Sequence, residues 1–214
     1  MPPRQLSRRA LLIAGAAVAA APARPRGAFD PERLVADCKA AAARGTDTQA
    51  TIRELLTREL ADPAAVLAGL GAPTRGGLKA LYRSPDLTIL NIVWSPLMQL
   101  LPHDHDMWAL IGIYTGREDN IFWKRDGARL TADRAAAIST GDVVPLPSDV
   151  IHSVNNPLEK LTGAIHVYGG DFFGVHRSEW DPETLAERDW SIQEAVRTFE
   201  RSNERFYGTS RNCG

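Results

Sequence analysis

The sequence predicts a mainly β domain, an antiparallel sandwich or small barrel, with helices ahead of it and a helix behind it. Three observations lead there. Between residues 78 and 173, short runs rich in β-branched and aromatic residues alternate with Gly, Pro, Asn and Asp. Turn signals such as Arg125-Asp126-Gly127 and Thr140-Gly141-Asp142 recur about every ten residues, which favours many short antiparallel strands. On both sides of this stretch the apolar residues return to helical spacing. With 214 residues, 44% hydrophobic and 24% charged, the chain has room for one full core, and no internal repeat or low-complexity linker divides it.

Residues 1–28 stand apart. Ser7-Arg8-Arg9-Ala10-Leu11-Leu12 leads into an Ala-rich apolar run, and Ala21-Pro22-Ala23 closes it. Basic region, apolar region and small-residue cleavage site come in the order of an export signal, and the paired arginines resemble the twin-arginine type. The run is short for a membrane span, so the mature chain is expected to be periplasmic or exported and free of the membrane. Without such a signal the protein would be cytoplasmic. Residues 1–23 hold Arg4, Arg8 and Arg9 and no acid; removing these three from 25 leaves 22 basic residues against 26 acidic. Neither that balance nor the net charge of −1 for the whole chain invites nucleic acid.

The segment 29–77 reads as helices packed on the outside of the β domain. Asp30-Pro31-Glu32 supplies an N-cap, a proline in the first turn and an acid near the dipole's positive end. Leu34, Val35, Cys38, Ala41 and Ala42 keep helical spacing up to Gly45. Thr46-Asp47-Thr48-Gln49 reads as a capping box for a second helix with the apolar stripe Ile52, Leu55, Leu56 and Leu60. Asp62-Pro63 opens a short third helix. Of the two cysteines, Cys38 falls on a helix face and is expected in the core; Cys213 lies near the end of the chain, and the pair makes no metal-binding or disulfide pattern.

The barrel is assigned to residues 78–173, with strands expected at 78–83, 87–94, 99–105, 108–115, 120–124, 128–130, 136–138, 142–145, 152–154 and 163–168. In the last segment, 174–214, Ser191-Ile192-Gln193-Glu194 is a second capping box. Ile192, Ala195, Val196, Phe199 and Phe206 make one face of the helix it opens, and that face is expected to dock.

Chemistry concentrates in Pro102-His103-Asp104-His105. On a strand, residues two apart share a face, so His103 and His105 aim two imidazoles at one point, which suits a metal ion. A second half-motif lies downstream: Gly141, Pro147-Ser148-Asp149, His152 and Asn156. Together the two resemble the paired motifs of the cupin superfamily, whose fold is a double-stranded β-helix with the metal inside the barrel. The first motif departs from the pattern. Leu97 stands where Gly is expected, and Ala109 or Leu110 where a metal-binding Glu is expected. Three neutral imidazoles leave a divalent ion's charge uncompensated and its other positions open, which favours an anionic ligand such as a thiolate.

Within that superfamily the chain looks most like the thiol dioxygenases of the cysteine dioxygenase type. Trp94 precedes the histidine pair by nine positions, as in that family. The resemblance implies that His103, His105 and His152 hold Fe(II), with another divalent transition metal as the alternative. It implies that His166 and Tyr168 form a pair beside the metal, and that Arg83 grips a substrate carboxylate. The implied partners are a small thiol, with or without a carboxylate, and O2; the implied product is a sulfinic acid. Ala164 replaces the Ser that begins the family's Ser-His-Tyr relay, and Leu110 sits where some members have a Cys crosslinked to the Tyr. Two other readings accompany this one: a cupin dioxygenase or isomerase on a non-thiol substrate, and a cupin that binds a metal or small molecule without catalysis. Changing Arg8 and Arg9 together to Lys is expected to hold the protein in the cytoplasm, read by blotting of cell fractions.

Overall fold

The computed structural model describes residues 28–127 and 129–208. The export-type segment up to Gly27, Ala128 and Cys213 lie outside them. Three helices come first: α1 (Pro31–Arg44), α2 (Thr48–Glu59) and α3 (Pro63–Leu70). Strands β1 (Gly77–Arg83), β2 (Thr88–Trp94), β3 (Gln99–Asp104), β4 (Ala109–Thr115), β5 (Arg117–Asp126) and β6 (Arg129–Ser139) come next. Then come β7 (Val143–Leu146), β8 (Ile151–Asn155), β9 (Thr162–Tyr168), β10 (Ser178–Trp180), β11 (Glu187–Asp189) and the last helix, α4 (Ile192–Tyr207).

The strands form two antiparallel sheets, ordered β1-β2-β9-β4-β7 and β11-β10-β3-β8-β5-β6. Strands β2 to β9 give the two four-strand orders of a jelly roll, the double-stranded β-helix, and β1, β10 and β11 extend its edges. The fold class expected from the sequence is the one the chain adopts.

Burial explains the texture of the strands. One core fills the space between the sheets, with Leu90, Ile92, Ile111, Ile113, Ile138 and Val154 among its members. A second lies outside the five-stranded sheet, where Leu34, Cys38, Ile52, Leu56 and Leu60 of the helices meet Ile89, Leu110, Ile165 and Val167. Strands β2, β4 and β9 are therefore covered on both faces, and they read as nearly unbroken apolar runs. Strand β6 is the opposite case. It lies at the edge of its sheet and most of it is exposed, so its polar middle, Thr131 to Arg134, is tolerated. The two short strands expected at 128–130 and 136–138 are one long strand, hairpinned to β5 through a turn in which Gly127 takes a φ of 58°.

Three local expectations change. Asp47, not Thr46, caps α2, with left-handed backbone and no side-chain cap bond. Gln49 instead donates to the carbonyls of Ala109 and Leu146, tying α2 to the ends of β4 and β7. In α4 the docked face is narrower than the apolar pattern suggests. Ala195, Phe199 and Asn203 are buried, whereas Val196 and Phe206 are exposed. Asn203 sets that rotation, since its amide accepts from the Gly76 N–H and the Ser95 hydroxyl and donates to the Gly76 carbonyl. Strands β10 and β11, three residues each and largely polar, carry too little pattern to be seen in advance.

Where the cupin pattern has Gly, Leu97 adopts a left-handed φ of 55°, a conformation that costs a side chain about 1–2 kcal/mol. The neighbouring loops are fastened by the buried Asn156. Its amide donates to the carbonyls of Trp94, Ser95 and Lys160 and accepts from the Leu158 N–H and the Thr162 hydroxyl. Asn156→Ala strands these groups, so it is expected to cost about 3 kcal/mol. Calorimetry should register this as a Tm lowered by about 6–12 °C.

Candidate metal centre

His103 and His152 face each other across the β3–β8 ladder. Simple alternation would not bring both Leu100 and His103 inward, because they are three residues apart. The ladder passes from Leu100↔Val154 to His103↔His152, so Leu101 and Pro102 together oppose the single residue Ser153. This bulge turns the strand by one residue and re-aims everything after it. His103 and His105 then share the inner face, with His105 just past the end of β3.

The three imidazoles converge through their Nε2 atoms. His105 Nε2 lies 3.3 Å from His103 Nε2 and 3.2 Å from His152 Nε2. The tautomers follow from the other ring nitrogen. His103 Nδ1 is 3.0 Å from the Leu101 carbonyl, and His152 Nδ1 is 2.7 Å from Asn120 Oδ1. Both acceptors require Nδ1–H, which leaves the Nε2 lone pairs directed at one another. His105 Nδ1 is buried without a protein partner. Nitrogens bound at about 2.0–2.1 Å to one ion stand about 2.8–3.0 Å apart at octahedral and about 3.3–3.4 Å apart at tetrahedral angles, and the two separations given lie within that span. The three histidines thus form a group able to hold one metal ion, and among the described residues it contains no carboxylate.

Burial favours the neutral ligand form. It pushes the His103 pKa down to about 3, assisted by the positive charge of Arg177. Burial likewise pushes His105 and His152 well below the usual histidine range, followed by the neighbouring imidazoles.

The opposite sheet supplies the pair expected beside the metal. Tyr168 and His166 share the inner face of β9, and Tyr168 OH lies 3.0 Å from His166 Nδ1. The Tyr168 ring meets His105 edge-on at 5.1 Å. Trp94, Phe172, Trp190 and Phe199 complete the wall around the histidines, and the space enclosed is about 20 Å³, room for about one water molecule.

Arg83 does not belong to this wall. Its guanidinium is half exposed and makes a two-point ion pair with Asp171, at 2.7 and 2.9 Å. The role that the resemblance assigned to Arg83 has no geometric basis here. The arginine near the histidines is Arg177, buried, stacked on the rings of Phe172 and Trp190 at 4.0 and 3.6 Å and donating to the Asp104 and Phe172 carbonyls. Its Nε has no partner. Burial lowers its pKa to about 10, so it stays a cation at neutral pH.

Sequence reading also missed Glu118 and Asn120, both wholly buried on β5. The strand alternates as expected, but Glu118, Asn120 and Phe122 point inward while Ile121 is exposed. A carboxylate and an amide two residues apart, right after the turn at Gly116, were the available signal.

No family model matches the chain. Among solved structures, it is similar to an RmlC-like cupin family protein with a double-stranded β-helix fold from Methanocaldococcus jannaschii, at 14% identity over 47% of this chain and 85% of that one, TM-score 0.40. It is similar to a conserved protein with a double-stranded β-helix domain from Klebsiella pneumoniae at 12% identity, 57% and 89% coverage, TM-score 0.41. A cupin superfamily protein from Desulfitobacterium hafniense aligns at 18% identity, 49% and 88% coverage, TM-score 0.39. At these levels the fold assignment rests on the strand order itself.

Replacing any one of His103, His105 or His152 by Ala is expected to abolish metal retention, read as metal per chain by elemental analysis. The same three groups make the stability of the metal-free protein depend on pH. Each folded-state pKa lies below the value of about 6.5 for an unfolded histidine, so unfolding takes up protons in the window below it. Their contribution to stability is complete above pH ~6.5 and is lost as the pH falls toward the folded value, about 3 for His103. Urea unfolding of the metal-free protein at pH 7.5 and pH 5 should give the lower midpoint at pH 5.

Proposed function

We propose that this protein is an Fe(II)-dependent oxygenase that converts a small carboxylate-bearing thiol to its sulfinic acid. The overall change is balanced by one O2: RSH + O2 gives RSO2H. The observation that carries the proposal is the donor set, three neutral imidazoles with no carboxylate among them and a buried guanidinium close by. A bound iron would supply adjacent open positions for a thiolate and O2, together with the redox capacity to unite them. Another divalent transition metal would fit the same nitrogens.

The chain's own residues account for the rest. Three uncharged ligands leave the site net positive, and Arg177 adds a fixed positive charge, so an anionic ligand is favoured over a neutral one. In the role expected for Arg83 we place Arg177, whose unpartnered Nε and rigid stacking suit a carboxylate. Tyr168 brings one hydroxyl to the ligand space, and burial pushes its pKa up, so it remains a phenol at neutral pH. Phe172, Trp190 and Phe199 keep bulk water out. The likeness of the His103, His105, His152, His166 and Tyr168 pattern to thiol dioxygenases supports the same reading.

The decisive experiment is oxygen uptake by iron-loaded protein across a panel of thiols, with sulfinate identified by mass spectrometry. One O2 consumed per sulfinate is the expected result; no uptake with any thiol would overturn the reading in favour of a non-thiol or non-catalytic role. Arg177→Lys is expected to raise KM about tenfold or more, and only for thiols bearing a carboxylate, because Lys lacks the planar guanidinium that leaves Nε free while its other nitrogens are held. Arg83→Ala should leave KM unchanged. Tyr168→Phe should retain iron and slow turnover by roughly 10- to 100-fold, the worth of one hydrogen bond of about 1–3 kcal/mol.

A further inference from the structure

Ala164 stands where the resemblance implies a Ser beside His166, so this chain lacks that hydroxyl. A carboxylate arrives instead from the other sheet. His166 Nε2 lies 3.3 Å from Glu118 Oε1, and the same oxygen accepts from the indole N–H of Trp94. Glu118 has no solvent exposure, and its Oε2 has no partner. A buried carboxylate held by two nitrogen donors through one oxygen is costly, and its neighbours limit what each can do.

Donors and acceptors fix the proton positions. An indole nitrogen only donates, and a carboxylate oxygen only accepts. With Glu118 as a carboxylate, His166 meets it by carrying a proton on Nε2. In the neutral imidazole that is the one N–H, and Nδ1 keeps a lone pair. The group facing that lone pair is the Tyr168 hydroxyl at 3.0 Å, which must donate. The phenolic proton then points at His166, away from the three ligand histidines.

We propose that Glu118 is a positioning residue. It locks His166 in the Nε2–H tautomer and thereby turns Tyr168 into a hydrogen-bond acceptor toward the metal cavity. The ligand class selected is one that brings an N–H, O–H or S–H donor close to its metal-binding atom. The meaning of this for turnover rests on the oxygenase reading; the tautomer does not.

The test uses metal-free full-length protein with 15N-labelled histidines, and long-range 1H–15N correlation spectra. The His166 resonances are assigned by their loss in His166→Asn. In wild type, His166 is expected to be protonated on Nε2, with Nδ1 unprotonated and shifted by an incoming hydrogen bond. Tyr168→Phe should remove that shift and keep the tautomer. Glu118→Gln keeps an oxygen acceptor without its charge, so the Nε2–H proton resonance should move upfield in a variant of unchanged size. Glu118→Leu removes the acceptor, and the folded variant should give Nδ1–H or a mixture of tautomers. A wild-type His166 protonated on Nδ1, an unmoved proton in Glu118→Gln, or a single Nε2–H tautomer in folded Glu118→Leu would each overturn the proposal. None of these readouts involves metal, O2 or thiol, so they fail or succeed separately from the oxygenase assay.

Discussion

Three imidazole nitrogens held within 4.8 Å of one another and almost out of reach of water are the constraint on which the rest of the molecule depends. Left to themselves the three rings would turn apart or protonate. They are kept in place because the Leu101 carbonyl and the Asn120 amide oxygen each take up a ring N–H, and because burial makes the charged form expensive. The bulge at Leu101 and Pro102, the inward polar face of β5 and the packing of α4 over Trp94 serve that arrangement.

The two sheets divide the work. The six-stranded sheet carries His103, His152, Asn120 and Glu118, with His105 just past the end of β3, and the five-stranded sheet carries His166 and Tyr168. Glu118 joins the two sheets at the site, since its Oε1 meets both His166 and the indole N–H of Trp94. Outer helices and the core beneath them hold the five-stranded sheet from behind, which explains why α1, α2 and α3 are closely packed.

The jelly roll was legible because its strands are punctuated by glycine, proline and asparagine at short intervals. The three-histidine group was legible because residues at i and i+2 share one face of a strand and a second half-motif supplied the third histidine. Other features were hidden for physical reasons. Arg83 and Arg177 look alike in a sequence, and only folding shows that Asp171 claims the first while two aromatic rings bury the second. Glu118 and Asn120 were obscured because period-two alternation does not say which face is inside, and Ile121 pointed to the wrong one. Strand β6 reads as two pieces in the sequence because an edge strand can be polar throughout its middle.

Because ligand histidines and tyrosine sit on different sheets, the gap between them is set by what fills the barrel. Ile111, Ile113, Ile138 and Val154 pack between the sheets in the same core as Tyr168, so their volume bears on the spacing of the two sheets. Close packing transmits a lost or added methylene as a displacement, since such interiors hardly compress. Aliphatic residues with no polar atom to offer can thus bear on the geometry of the histidine group, and variation among them is a route by which the cavity could change shape while every polar group stayed the same.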